Sequence, residues 1–137
     1  MVREIVKDTI VLSRKSIAAV SEDAATARDL LDTLQAHSSH CVGMAANMIG
    51  VNKCIIAVLD GASLLPMLNP VISKRSAKTY YAVESCLSVP GERRVLRYAS
   101  IEVKYRDLEF RKQRQKFSGL TAEIIQHEID HCNGILV

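Results

Sequence analysis

The sequence predicts an α+β domain in which mostly antiparallel, curved sheets pack around a C-terminal helix, with another helix near the N-terminus. Two observations indicate this class. Helical patterns of apolar residues flank the middle of the chain, which instead carries several short stretches with strand-like alternation. The length of 137 residues suits one domain with a sizeable core. Because no repeat, linker or low-complexity run interrupts the chain, residues 1–137 are interpreted as a single domain.

The first predicted helix spans residues 24–36, after a weakly patterned N-terminal segment. Residues 21–23 supply a serine and two acidic side chains, which are typical of a helix start. Apolar residues then recur at helical spacing at Ala27, Leu30, Leu31 and Leu34. Two histidines in the following loop, at residues 37–40, lack a cysteine or carboxylate at ligand spacing, so they are interpreted as solvated.

Strands are predicted between the two helices. The candidate segments are residues 53–59, 66–72, 80–83, 100–105 and 110–117. Pro66 and Pro70 interrupt the second segment, and a proline cannot donate to a ladder, so that strand is predicted at a sheet edge. Residues 41–50 are small, apolar and rich in glycine, which favours a tightly packed turn.

Composition limits the partners. A net charge of +3 with no Trp and two Phe gives no sign of a nucleic-acid site. No stretch approaches the length of a membrane span, and the first eight residues lack the pattern of a signal peptide. We therefore expect a cytoplasmic protein whose cysteines are thiols. Each of Cys41, Cys54, Cys86 and Cys132 is then either a small buried residue or a metal ligand.

The predicted final helix, residues 119–132, contains the pattern H-E-x-x-H at residues 127–131. His127 and His131 lie one turn apart on one face, and Glu128 is close enough to act on a water held between them. This pattern is typical of a hydrolytic metal site, although a solvated helix can carry two histidines by chance. A third ligand must come from upstream, because only six residues follow and Cys132 points to another side of the helix.

Three stretches in order resemble the motifs of the peptide deformylases, metallohydrolases that remove the formyl group from the N-terminal methionine of new bacterial proteins. Residues 41–48, 84–88 and 127–131 match G-φ-G-φ-A-A-x-Q, E-G-C-φ-S and H-E-x-D-H. Shorter likenesses follow at residues 67–70, 89–91 and 95–97. The resemblance covers most of the chain from about residue 24 onward.

The resemblance implies that Cys86 is the third ligand beside His127 and His131. It also implies one divalent metal, Fe²⁺ first, with Zn²⁺ or Ni²⁺ able to occupy the same site. In the mechanism that the resemblance implies, the metal activates a water and polarises the formyl carbonyl, while Glu128 moves the proton of the water to the departing amine. The backbone N–H of Leu87 helps to hold the oxyanion.

The resemblance also implies partners and substrate contacts. Formyl-methionyl nascent peptides would pair with the strand edge at Val42 and Gly43, and Ile124 would line the methionine pocket. The ribosome is a further candidate partner. Asp130 is either a support for the metal ligands or a salt-bridged surface acid. Glu84 and Arg97 are predicted to form an ion pair that holds the cysteine loop.

Three positions depart from the motifs. Cys41 and Ser85 replace glycines, and Met48 replaces the glutamine whose amide donates to the oxyanion. A thioether has no N–H to donate. The sequence therefore predicts a deformylase with reduced activity, and the alternatives are a non-catalytic metal-binding relative or a hydrolase with another substrate. The retained Glu128 argues against the non-catalytic alternative.

Overall fold

The computed structural model describes residues 1–137. The helices are α1 (Thr9–Leu12), α2 (Ala24–Ala36) and α3 (Gly119–Cys132). The strands are β1 (Gly43–Ala45), β2 (Ile55–Asp60), β3 (Ser63–Arg75), β4 (Thr79–Ser85), β5 (Glu92–Tyr98), β6 (Ser100–Arg106) and β7 (Lys112–Ser118). Short 3₁₀ turns lie at Ser21–Asp23 and Ala46–Ile49.

Five strands form one antiparallel sheet in the order β1-β2-β3-β6-β7, and β4 and β5 form a separate hairpin. Strand β2 is buried on both faces. Ile55 and Ala57 join the apolar cluster that contains α2, whereas Ile56 and Val58 join the cluster that contains α3. The sheet therefore separates two cores, which explains the continuous apolar run of β2.

The predicted α+β class and both long helices are confirmed, and α2 and α3 span the predicted residues. The prediction of an edge position for the second strand was wrong, because β3 lies between β2 and β6. Pro66 sits where only β2 pairs with β3, since the β6 ladder begins at Leu68. Pro70 sits in an irregularity between Leu68 and Val71, next to Asn69 with φ of 53°. An interior strand can thus hold both prolines, because each lies where the ladder with β6 is absent or irregular.

The sequence pattern does not predict β5, and it favours a turn at residues 41–50, where only the family resemblance implies a strand edge, at Val42 and Gly43. Residues 43–45 form β1, and the turn follows it at residues 46–49. Strand β5 carries three arginines and a glutamate, so its apolar residues are too few for a clear strand pattern. Pairing with β4 defines β5 as a strand, because the two segments pair over their whole length.

The hairpin of β4 and β5 is attached to α3 by side-chain hydrogen bonds. The Gln126 amide exchanges two hydrogen bonds with the backbone of Tyr98, at 2.8 and 3.0 Å, and the Tyr80 hydroxyl donates to Glu123 at 2.8 Å. These bonds place the loop after β4 against the middle of α3. All four cysteines are free thiols, as predicted. None of the helices combines the length and the apolar character required to cross a membrane.

Candidate active site

The two histidines of α3 and one cysteine of the loop after β4 point their donor atoms at a common centre. The Nε2 atoms of His127 and His131 lie 3.1 Å apart, and these atoms and the sulfur of Cys86 all lie within 4.8 Å of one another. Nitrogen ligands about 2.0–2.1 Å from a tetrahedral metal are roughly 3.3 Å apart, so this set fits one divalent ion. The Ser88 backbone N–H donates to the Cys86 sulfur at 3.4 Å and orients it.

Glu84 fixes the orientation of His127. Its Oε1 atom accepts a hydrogen bond from Nδ1 of His127 at 2.7 Å. That bond keeps the proton on Nδ1 and leaves Nε2 free to bind a metal. The sequence predicts only the pair of Glu84 with Arg97 and not this second role, because nothing in the sequence reports that the end of β4 meets α3.

The predicted ion pair between Glu84 and Arg97 is confirmed. Arg97 binds Glu84 in a bidentate manner at 2.6 and 2.9 Å, and its third nitrogen reaches Asp130 at 2.6 Å. Arg97 and Glu84 are buried, and Asp130 is partly exposed. Asp130 therefore unites the two expected roles: it is salt-bridged near the surface, and it supports the network behind His127. The network joins the hairpin to α3 on both sides of the cysteine loop.

The carboxylate of Glu128 lies in a buried, tightly enclosed position. Its Oε1 atom has no hydrogen-bond partner within the protein. Burial raises the pKa of Glu128 to about 7, a value suited to a group that both takes and gives a proton near neutral pH. A Cβ atom on Gly43 would approach Oε2 of Glu128 to 2.8 Å and Cγ2 of Ile124 to 2.6 Å, so any larger residue would force one or both of these side chains to shift.

The two histidines have opposite affinities for a proton. Burial would lower the pKa of His127, but hydrogen bonds to Cys86 and Glu84 raise it to about 10. Burial and the neighbouring His127 lower the pKa of His131 to about 3. Burial opposes ionisation of Glu84 as well, yet His127 and Arg97 hold its pKa at about 2. A metal needs unprotonated nitrogens, so metal binding here competes with a proton on His127.

A pocket of about 320 Å³ opens beside these groups. Its lining contains Cys86, His127 and Glu128 together with the other positions singled out in the sequence: Cys41, Val42, Gly43, Met48, Ser85, Leu87 and Ile124. Strand β1 is the first strand of the five-stranded sheet, so one of its edges is free at the pocket. The exposed side chain of His40 also reaches the rim, whereas Nδ1 of His37 is bonded to the end of α2.

Met48 is buried in the pocket wall, and its sulfur accepts the Ala45 N–H at 3.5 Å. The neighbouring Asn47 does not replace a glutamine, because its amide nitrogen donates to the backbone oxygen of His131 at 3.0 Å. The amide instead fixes the end of α3, a role that sequence analysis missed. Ser85, by contrast, lines the pocket, and its hydroxyl is a candidate substitute donor.

The comparisons with known proteins agree with this arrangement. The family model for polypeptide deformylase matches residues 2–137. A peptide deformylase from Clostridium beijerinckii is 50% identical over 137 residues, covering 100% of both chains. One from Picosynechococcus is 40% identical over 130 residues, covering 89% of this chain and 68% of the relative. The Met-Ala-Ser-bound class I type b peptide deformylase from Acinetobacter baumannii superposes with a TM-score of 0.90 at 28% identity, covering 99% of this chain and 97% of that one.

An α+β domain that sets a cysteine and two histidines beside a buried glutamate belongs to the class of metal-dependent hydrolases. Within that class, the full-length match and the structural likeness decide the family. The chain belongs to the peptide deformylases.

Proposed function

We propose that this chain hydrolyses the N-formyl group of formyl-methionyl nascent peptides, with Cys86, His127 and His131 holding one divalent metal. The observation that carries the proposal is the convergence of these three donor atoms within 4.8 Å, beside the unpartnered carboxylate of Glu128, at the pocket. Ferrous iron is the first choice of metal, and zinc or nickel fits the same donors, because a thiolate and two imidazoles suit borderline transition metals. Formylated peptides arise at ribosomes, so we propose cytoplasmic action.

When bound, the metal supplies Lewis-acid chemistry by lowering the pKa of a water and polarising the formyl carbonyl. Glu128 accepts the proton of the attacking water and then delivers it to the nitrogen of the departing amine, so the products are formate and a free N-terminus. The Leu87 backbone N–H donates to the oxygen that gains charge. Glu84 keeps His127 in the tautomer whose Nε2 faces the metal.

The substrate peptide lies extended along the free edge of β1 at Val42 and Gly43. Its methionine side chain enters the apolar part of the pocket next to Ile124. Support comes from the A. baumannii relative, which holds Met-Ala-Ser. Gly43 serves both purposes, because its backbone forms the edge and its missing side chain leaves room for Glu128.

Formate release from a formyl-Met peptide, measured anaerobically with bound metal quantified in the same samples, tests the proposal. We expect Cys86→Ala to lose most of its metal and its activity. Glu128→Gln should retain metal while the rate falls by a factor on the order of 10²–10⁴, as for a positioned general base. Comparing the two variants separates metal binding from proton transfer. Cys86→Ala removes a metal ligand, whereas Glu128→Gln removes only the group that moves the proton.

Three outcomes would contradict the proposal in different ways. Undiminished metal in Cys86→Ala would remove the cysteine from the ligand set. Loss of metal in Glu128→Gln would make that carboxylate a ligand. A fully metal-loaded parent protein that releases no formate would favour the non-catalytic alternative or another acyl substrate.

A further inference from the structure

The part of the sheet farthest from the pocket presents a strongly basic surface. Residues paired across antiparallel strands share a face of the sheet. Between β6 and β7 the charged pairs are Arg106 with Lys112, Lys104 with Arg114 and Glu102 with Lys116. Between β3 and β6, Lys74 pairs with Glu102. Six cations and one carboxylate therefore share one face of β3, β6 and β7. We call this set the basic face: Lys74, Glu102, Lys104, Arg106, Lys112, Arg114 and Lys116.

The composition of the whole chain does not reveal the positive charge of the basic face. The whole chain has a net charge of only +3, so the remaining residues are on balance acidic. The strict alternation of β7 places its three cations on one side of the strand, with Gln113 and Gln115 between them. Local clustering of this kind produces a positive potential that total charge does not report.

Five of the six cations of the basic face are free to meet a ligand, whereas the Arg106 guanidinium donates to the Phe110 backbone oxygen at 3.1 Å and lies over the Phe110 ring. Five are exposed and Arg106 is half-buried, and none forms an ion pair with a carboxylate within 4 Å. The single acid, Glu102, accepts a hydrogen bond from Ser73 at 2.9 Å. That bond, together with Lys74, Arg114 and Lys116, lowers the pKa of Glu102, so it stays ionised and offsets only one charge.

Protection of a sheet edge explains only part of this pattern. Lysines on an edge strand discourage pairing with another sheet, and β7 is an edge strand. Lys104, Arg106 and Lys74, however, lie on the interior strands β6 and β3. Helix α2 packs on β2 and β3, and the sheet continues beyond them through β6 and β7. A shallow groove of about 580 Å³ runs between Lys104, Arg106, Lys112 and Arg114.

We propose that the basic face binds the phosphate backbone of double-stranded RNA without reading its sequence. Cations two residues apart on a strand are about 6.8 Å apart, and neighbouring strands are about 4.8 Å apart, so the face offers a grid that meets several phosphates. The one aromatic residue that lines the groove, Tyr105, is buried and its hydroxyl donates to Gln115, so base stacking is not the main contact. A shallow groove suits A-form RNA, which proteins recognise by shape and backbone.

The opposite side of the same strands packs against α3 through Val103, Tyr105 and Phe117. The basic face and the pocket are thus on different sides of the sheet, and RNA bound there leaves the pocket open. This binding does not depend on the proposed hydrolysis. Its failure and the failure of the proposed function are therefore distinguishable in the same preparation.

The test is fluorescence anisotropy of a labelled RNA duplex of about 20 base pairs with the metal-loaded protein, over a range of salt from about 50 mM. The face variant carries Lys104→Gln, Lys112→Gln and Arg114→Gln. The matched control removes three exposed cations of the N-terminal segment through Lys7→Gln, Arg14→Gln and Lys15→Gln. Thermal unfolding of each variant verifies that it is folded.

We expect the parent to bind with a Kd on the order of 10⁻⁶–10⁻⁴ M that weakens steeply with salt. The face variant should bind at least about tenfold more weakly, with a salt slope reduced by about 2–3, whereas the control should stay close to the parent. Equal loss in the two variants, or no binding at low salt, would overturn the proposal. Tighter binding to a DNA duplex of the same sequence would overturn the choice of RNA, and so would a face-dependent affinity for phosphatidylglycerol vesicles that exceeds the affinity for RNA.

Discussion

Met48 is the residue that separates this site from the motif of its family. Its buried sulfur faces the pocket and accepts a backbone N–H, so it offers no donor to an oxyanion. Loss of one such donor commonly costs roughly 2.7–4 kcal/mol, about 10²–10³ in rate. We expect Met48→Gln to raise formate release per bound metal by about tenfold or more.

The matched control for Met48→Gln is Met48→Leu, which keeps an apolar side chain and should give no gain. Formate release per metal is the measurement for each variant, with peptide binding determined separately. No gain from Met48→Gln in a protein with a high starting rate would identify Ser85 or another group as a donor already in place. Negligible rates before and after the change would defeat the deformylase proposal.

Gly43 is required by space rather than by backbone angle, because it is absent from the positive-φ glycines. A methyl group there would overlap Ile124 and press on Glu128. We expect Gly43→Ala to reduce kcat/KM by at least about tenfold and to destabilise the fold by about 1–3 kcal/mol, the usual range for overpacking. Urea unfolding and formate release are the measurements.

The double variant Gly43→Ala with Ile124→Ala is the control for that explanation. Removing the Ile124 side chain relieves the shorter of the two contacts, so the pair should be less destabilised than the sum of the single changes. Strict additivity would mean that the methyl group disturbs something other than this contact.

At the scale of elements, the arginine network holds the hairpin of β4 and β5 against α3. Arg97 is buried with Glu84 and also pairs with the partly exposed Asp130, and removing one partner of a buried pair typically costs about 3–5 kcal/mol. We therefore expect Arg97→Ala to lower the free energy of unfolding by about that amount and to weaken metal binding. The cysteine loop loses its support, and such support commonly contributes about 10–100-fold in metal affinity.

Arg94 on the same hairpin is the matched control. It is exposed and stacks on Tyr81 at 4.1 Å, so Arg94→Ala should cost no more than about 1 kcal/mol and leave metal affinity unchanged. Denaturant unfolding and metal titration compare the two variants directly. Equal effects of the two substitutions would show that the network does not position the cysteine loop.

At the scale of the whole molecule, acid stability depends on Glu84. The pKa of Glu84 is about 2 in the folded protein, below its ordinary value of 4.5. The unfolded chain therefore binds the proton more tightly, and the stability from ionised Glu84 is complete above pH 4.5 and is lost as pH falls toward 2. We expect Glu84→Gln to cost on the order of 2–3 kcal/mol at about pH 5 and much less at about pH 2.5.

Urea unfolding of metal-free protein across that pH range is the measurement. Glu92→Gln, at an exposed position on the partner strand β5, is the matched control and should change the free energy of unfolding by no more than about 0.5 kcal/mol. Glu128 acts in the opposite direction, because burial raises its pKa to about 7 and its ionisation destabilises the metal-free fold as pH rises. If Glu84→Gln lowers the free energy of unfolding by the same amount at every pH, the negative charge of Glu84 does not stabilise the fold.

The sequence by itself determined the features that depend on neighbours along the chain. Helical spacing located α2 and α3, and the i, i+4 pair with its glutamate located the hydrolytic half of the site. The three motifs together identified the family and the metal-binding cysteine, because recognising them requires only the residue types and their order along the chain. The strand pattern located β2 and β6, whose apolar residues are buried on at least one face.

Only the tertiary structure decided which distant residues meet. It placed β3 inside the sheet, since a proline is tolerated wherever one side of a strand is unpaired or irregular, and sequence does not report pairing. It joined Glu84 to His127, turned the Asn47 amide away from the pocket, and gathered cations from three strands on one face. The first two contacts span 43 and 84 residues along the chain. All three features follow from strand register and helix packing, which local patterns do not contain.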